Sequence, residues 1–165
     1  MRFVLCGAGE RLEEFRRLSE DLPNVLMPGW IDAAAIRVLM ERSAAGLAPY
    51  HCEWSFTMSL PNKSIEYLAG GLPVISSLSG ELALLLQQAD CGWTYAEGDP
   101  KALVGVVEQL LSDPVRRQAI ASNARRTYET RFKSEVIYGR LIDYLAEVAR
   151  DSRSRVGRSS KSRAT

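Results

Sequence analysis

The chain has 165 residues, of which 46% are hydrophobic and 25% charged, and its net charge is +1. That balance fits a soluble globular domain, at ~100–200 residues per domain, and excludes a low-hydrophobicity disordered chain. No apolar run approaches the ~20 residues that cross a bilayer. The opening MRFVLCGAGE offers only a short apolar stretch, so neither a signal peptide nor an anchor is expected there, and the expected location is cytoplasmic.

Short apolar strands alternate with amphipathic helices along the chain. RFVLC (2–6) reads as a strand, followed by a glycine turn and a helix over 10–22 in which Leu12, Phe15, Leu18 and Leu22 share one face. NVLMPGW (24–30) is a short strand ended at Pro28-Gly29, and 33–43 a helix with Ile36, Leu39 and Met40 together. AGLAPY (45–50) is a third strand, and a loop runs from His51 to Leu60. A helix follows from Pro61, stopped by Gly70-Gly71. PVISS (73–77) is a buried strand, 80–89 a helix and GWTY (92–95) another strand.

Asp99-Pro100 and Asp113-Pro114 are two helix starts, each a capping aspartate followed by proline. The first helix turns Leu103, Val106, Val107 and Leu110 inward, and the second Val115, Ile120 and Ala124. A last helix, about 133–150, is expected to bury Ile137, Leu141, Leu145 and Val148. Residues 151–165, DSRSRVGRSSKSRAT, hold five Lys/Arg against one Asp, net +4, which leaves −3 on residues 1–150. This reads as a disordered basic tail, 151–165, behind a folded domain of residues 1–150. A solvated extension and contact with an anionic membrane surface both stay open for the tail, and nucleic acid is not an expected partner. The βα alternation predicts an α/β fold, a parallel sheet with helices on both faces.

Cys6, Cys52 and Cys91 are odd in number and widely spaced, and His51 is the sole histidine. Structural zinc and a disulfide framework are therefore not expected, and the cysteines read as buried free thiols. No metal site is expected.

The helix from Pro61 holds a local contradiction, because Lys63 sits in its first turn, where the helix dipole disfavours a cation. Asn62, Lys63 and Glu66 share a face opposite the stripe of Ile65, Leu68, Ala69 and Leu72. Two readings stay open. Lys63 and Glu66 pair with each other on a solvated surface, or the helix end receives an anion. In the second reading the first amides and Lys63 meet a diphosphate, and Glu66, one turn on, accepts from vicinal hydroxyls.

The run PNKSIEYLAGGLPVISS, with the glycine turn CGAGE, the PGW strand end, the later SGE and CGWTY and the Asp99-Pro100 helix start, resembles the nucleotide-sugar-binding half of group-one, family-four retaining glycosyltransferases. The resemblance covers residues 2 to about 150. It implies one Rossmann-like half of the GT-B architecture, without its first βα unit, in a sheet of order 3-2-1-4-5-6. RFVLC and AGLAPY would then be the second and fourth strands, flanking the absent one. They are expected to pair directly, or else a second chain, as in a symmetric dimer, covers the gap.

The resemblance also places roles. Glu66 would hold the donor ribose, and Asn62, Lys63 and Ser64 would cradle the diphosphate. Gly29, Trp30 and Ile31 would lie where the base is read, Gly80 and Glu81 (with Ser79) near sugar and diphosphate, and Gly9 in the glycine turn. The donor would be a uridine- or guanosine-diphosphate sugar, with no further cofactor. The acceptor, a saccharide or lipid-linked saccharide, would be met through an N-terminal half.

This sequence departs from the family at Met58, where a glutamate often precedes the ribose-binding one by eight positions, and Glu53 is out of register for that role. The family's leaving-group Arg/Lys pair has no position here, so no catalytic residue is assigned. His51 is open to a loop or donor-contact role and to a structural one. The expected function is the donor-binding half of a retaining glycosyltransferase in surface-polysaccharide assembly, in the cytoplasm, with contact at the inner membrane face left open as for the tail. A non-catalytic nucleotide-sugar-binding fragment or subunit and half of a sugar-nucleotide epimerase are the alternatives.

Overall fold

The computed structural model describes the backbone of residues 1–161 and the side chains of residues 1–150. The chain divides into two compact units, Met1–Ser43 and Ala44–Thr165.

The first unit is β1 (Phe3–Cys6), α1 (Leu12–Leu18), β2 (Val25–Gly29) and α2 (Ala33–Glu41). β1 and β2 pair in parallel, Phe3 against Val25 and Val4 against Leu26. Asp32 caps α2 by accepting from the Ala35 amide at 2.8 Å. Two strands and two short helices cannot enclose a core. Accordingly Leu5, Phe15, Leu18, Leu22, Leu26 and Ile36 are all exposed. The strand expected at RFVLC forms as β1, and the helix expected over 10–22 forms as the shorter α1, whose Phe15 and Leu18 stay exposed.

The second unit holds β3 (Gly46–Ala48), α3 (Trp54–Thr57), α4 (Asn62–Ala69), β4 (Val74–Ser76), α5 (Glu81–Ala89), β5 (Gly92–Thr94), α6 (Pro100–Ser112), α7 (Pro114–Thr127), a π-helical turn (Tyr128–Phe132) and α8 (Ser134–Lys161). Its sheet has the order β3-β4-β5, all parallel, with Gly46, Val74 and Gly92 in one row. Alternate side chains of β3 and β4 point to opposite faces. On one face Ala48 and Val74 join Leu68, Leu82, Leu86, Cys91 and Ala124. On the other, Ile75 meets Val106, Val107 and Leu110 of α6. Helices thus cover both faces of this sheet, as predicted. Full burial of a leucine such as Leu68 contributes ~1.5–3 kcal/mol.

The described strands form two sheets, β1-β2 in the first unit and β3-β4-β5 in the second, where the resemblance implied one. Both Asp-Pro starts are confirmed, Asp99 accepting from Lys101 and Ala102 and Asp113 from Arg116. Pro61 is the N-cap of α4 rather than its first residue: its ψ is 135°, and its carbonyl accepts from the Ser64 amide at 2.9 Å. α8 continues past Arg150. Along it Ile137, Leu141, Leu145 and Val148 are 43–55% exposed instead of buried, as Val115 of α7 is at 82%. The apolar stripe is there, but among the described residues no second layer covers it. The side chains of the expected 151–165 tail, and its backbone from 162, lie outside the described residues. No helix of the described residues is long and apolar enough to cross a membrane.

Only one of the three cysteines is buried. Cys6 and Cys52 are exposed, whereas burial among apolar side chains pushes the Cys91 thiol up to about 11. Native-state alkylation is expected to modify Cys6 and Cys52 and spare Cys91 until the chain unfolds, with the modified positions read by peptide mass. Reaction of all three at one rate would contradict this burial.

Candidate functional site

The sequence-selected side chains divide between the units. In the first, Gly9 follows β1 and Gly29 ends β2, and the carbonyl of Gly29 accepts from the Gly7 amide at 2.8 Å. Gly29 is buried, Trp30 is 74% exposed and Ile31 half-buried. A groove of about 540 Å³ opens beside this turn, lined by Leu5, Gly7, Gly9, Phe15 and Met27 among others.

In the second unit, α4 presents Asn62, Lys63 and Glu66 to solvent and turns Ser64 and Leu68 inward. Ser64 therefore departs from the expected exposed cradle. Its hydroxyl is fully buried without a hydrogen-bond partner, and its amide is engaged by the Pro61 carbonyl. The amides of Asn62 and Lys63 precede the first helical hydrogen bonds, as at any helix start.

Among the ion pairs of the described residues, Lys63 with Glu66 is not one. The Lys63 ammonium instead lies over the ring of Tyr50, 5.5 Å from its centroid. Burial, with the nearby Glu66 carboxylate adding to it, holds the Tyr50 phenol above its ordinary value. Tyr50 therefore lies beneath Lys63, and Lys63 and Glu66 form no ion pair with each other.

The carboxyl ends of β3, β4 and β5 are tied together by a network the sequence reading did not contain. Ser76 Oγ donates to the Ala48 carbonyl at 2.9 Å, and Ser77 Oγ to that of Tyr50 at 2.6 Å. The Cys52 thiol donates to the Ser77 carbonyl at 3.2 Å. From the loop after β5, Glu97 accepts the Cys52 amide on one oxygen at 2.9 Å and His51 Nδ1–H on the other at 2.6 Å. These bonds, the Cys52 amide first, hold the Glu97 carboxyl below the usual carboxylate range. His51 thus has a carboxylate partner and an exposed ring. No local motif announces Glu97. Its partners lie 45 and 46 residues away, and only the sheet brings them together.

The sign of the Glu97 effect on stability follows from linkage. Its folded-state value lies below the unfolded one, so its contribution is complete above the ordinary carboxylate value and is lost as pH falls through the lowered one. The difference in Tm between the wild type and Glu97→Gln is expected to shrink from about pH 6 to about pH 3. A difference independent of pH over that range would contradict the assignment.

After β4, Gly80 caps α5 at φ 78° and ψ −141°, and Glu81 opens the helix with its side chain exposed. A Cβ on Gly80 would lie 2.1 Å from the Thr57 carbonyl oxygen, so α3 packs directly on this glycine. Met58, which ends α3, is 56% exposed, and no carboxylate stands in its place. Asn62, Lys63, Glu66, Gly80 and Glu81 therefore belong to one unit, while Gly9, Gly29, Trp30 and Ile31 belong to the other.

Parallel strands, covering helices and polar groups gathered at the strands' carboxyl ends define an α/β protein of the class that binds ligands at that rim. Residues 1–113 match the family model described as glycosyl transferases group 1, and the chain belongs to that family. It is 30% identical over 90 residues to the amylovoran biosynthesis glycosyltransferase AmsK of Erwinia amylovora, a match covering 54% of this chain and 22% of that protein. It is 32% identical over 81 residues to the capsular polysaccharide biosynthesis glycosyltransferase CapM of Staphylococcus aureus, covering 48% and 21%. The matched stretch is thus about a fifth of each relative's length. Among solved structures, Anabaena HepE in complex with UDP and glucose superposes with a TM-score of 0.71 at 19% identity, over 88% of this chain and 40% of that one. That likeness is one of fold.

Proposed function

We propose that the chain is the donor-binding half of a retaining glycosyltransferase, taking a sugar from a uridine- or guanosine-diphosphate donor to a saccharide or lipid-linked acceptor in surface-polysaccharide assembly. One observation carries this reading: α4 leaves Asn62, Lys63 and Glu66 exposed on one face, with the lysine and glutamate unpaired to each other. A diphosphate at the helix start would take the free amides and the Lys63 ammonium, and the Glu66 carboxylate would accept from the ribose hydroxyls. The charge that develops on a departing diphosphate would then meet dipoles already aligned to it.

The acceptor side belongs to an N-terminal half, so this chain alone is expected to bind donor without transferring sugar. Met58, standing where the family often has a glutamate, favours a second reading in which the chain holds nucleotide sugar without turnover. We place the protein in the cytoplasm. A symmetric dimer covering open strand edges, and contact of the basic end with an anionic membrane face, extend the same reading.

Calorimetry with uridine diphosphate tests the reading. The wild-type chain is expected to bind, and Glu66→Ala to lose ~1.5–3 kcal/mol of affinity, the range for a hydrogen bond to a charged group. Its Tm should be unchanged, because Glu66 faces away from the packed side of α4. Equal affinity of variant and wild type would remove Glu66 from the site. Transfer assays on a chain that includes the acceptor-binding half separate the enzyme from the binding module.

A further inference from the structure

Glu97 lies outside every residue so far assigned to the donor, yet it organises the loop beneath Lys63. Its two carboxylate oxygens take His51 Nδ1–H and the Cys52 amide, the two groups that the turn after β3 offers. Ser77 holds the same turn from the other side, its hydroxyl on the Tyr50 carbonyl and its own carbonyl on the Cys52 thiol. With its backbone fixed in this way, Tyr50 places its ring 5.1 Å from that of Phe56, centroid to centroid, and 5.5 Å beneath Lys63 Nζ. A lysine side chain is otherwise free to sample many rotamers, and ordering it on binding costs affinity. A ring held under the ammonium removes part of that cost beforehand.

We propose that Glu97 is a positioning residue for the donor diphosphate. By latching the His51–Cys52 turn, it keeps the Tyr50 ring where it preorganises Lys63 beside the start of α4. This rests on the donor-binding reading above. Glu97 itself touches no part of the donor in this scheme and acts through Lys63. A latch that only stabilised the loop would affect binding independently of Lys63, so the two roles differ in their coupling.

The test is a cycle of Glu97→Ala, Lys63→Ala and the double variant in the full chain, with uridine diphosphate as the probe and thermal midpoints confirming that each is folded. Glu97→Ala is expected to weaken binding about two- to fivefold, the scale of an exposed cation–π contact. The double variant should bind no more weakly than Lys63→Ala alone. Losses that multiply in the double variant would overturn the latch and leave the donor reading standing. A wild-type chain that binds no uridine diphosphate would overturn both.

A second measurement needs no nucleotide. With lysines reductively methylated in ¹³C, the Lys63 methyl resonance should show the ring-current shift of Tyr50 and lose it in Glu97→Ala. A Lys63 resonance that does not move between wild type and Glu97→Ala would overturn the proposal.

Discussion

Gly80→Ala is expected to destabilise the chain by about 3 kcal/mol and to weaken uridine diphosphate binding with it. Two effects act at one atom. Gly80 has φ 78° and ψ −141°, a region that L side chains reach only under strain of ~1–3 kcal/mol. The added Cβ would also lie 2.1 Å from the Thr57 carbonyl oxygen and 2.9 Å from its carbon, both backbone atoms that no rotamer change can clear. Relief requires moving α3, and α3 carries Phe56, which packs on Tyr50 beneath Lys63. The stability loss is read from urea midpoints and the binding loss by calorimetry. A variant within ~0.5 kcal/mol of wild type, the range of ordinary surface substitutions, would mean that α3 does not rest on this glycine.

Where chemistry is local, the sequence reading and the structure agree. The two Asp-Pro pairs cap and open their helices because an aspartate oxygen reaches an amide two or three residues on, and nothing distant is needed. Val74 and Ile75, side by side in the short run PVISS, enter two different cores because strand side chains alternate.

What failed depended on a covering layer. Periodicity shows which face of a helix is apolar, but it carries no information on whether another element will cover that face. So Ile137, Leu141, Leu145 and Val148 form the stripe that their spacing predicts, but the stripe is exposed. The same limit applies to Phe15 and Leu18. For the candidate site, Asn62, Lys63 and Glu66 could be placed on one exposed face from spacing alone, since a helix fixes that relation over five residues. Ser64, in the same run, turns inward, because it lies four residues before Leu68 and so on the buried face of α4. The Glu97 latch and the Tyr50 platform had no such legibility. The latch joins residues whose proximity exists only after β3, β4 and β5 are assembled, and the platform joins Tyr50 to side chains of α3 and α4.

Gly92→Ala is the second large effect expected, and it arises in the sheet itself. Gly92 stands opposite Val74 in the β4–β5 pairing, and Val74 stands opposite Gly46 on its other side. A Cβ on Gly92 would lie 2.1 Å from the Val74 carbonyl oxygen and 2.9 Å from its nitrogen and carbonyl carbon. The clash is backbone against side chain within a hydrogen-bonded pair, so β5 would have to move away from β4 as a strand. That movement would disturb Val74 and Cys91, both fully buried. A loss of about 3 kcal/mol is expected, the upper part of the usual overpacking range, with the effect concentrated in faster unfolding if β5 docks late. Gly105→Ala supplies the contrast. It lies inside α6 with nothing within 4 Å of the added carbon, so alanine there should stabilise by ~0.5–1 kcal/mol through helix propensity alone. Opposite signs for these two glycine-to-alanine changes, measured in the same urea series, would tie the Gly92 effect to its close approach to Val74. If both variants stabilised the chain, β5 would have room that this packing denies it.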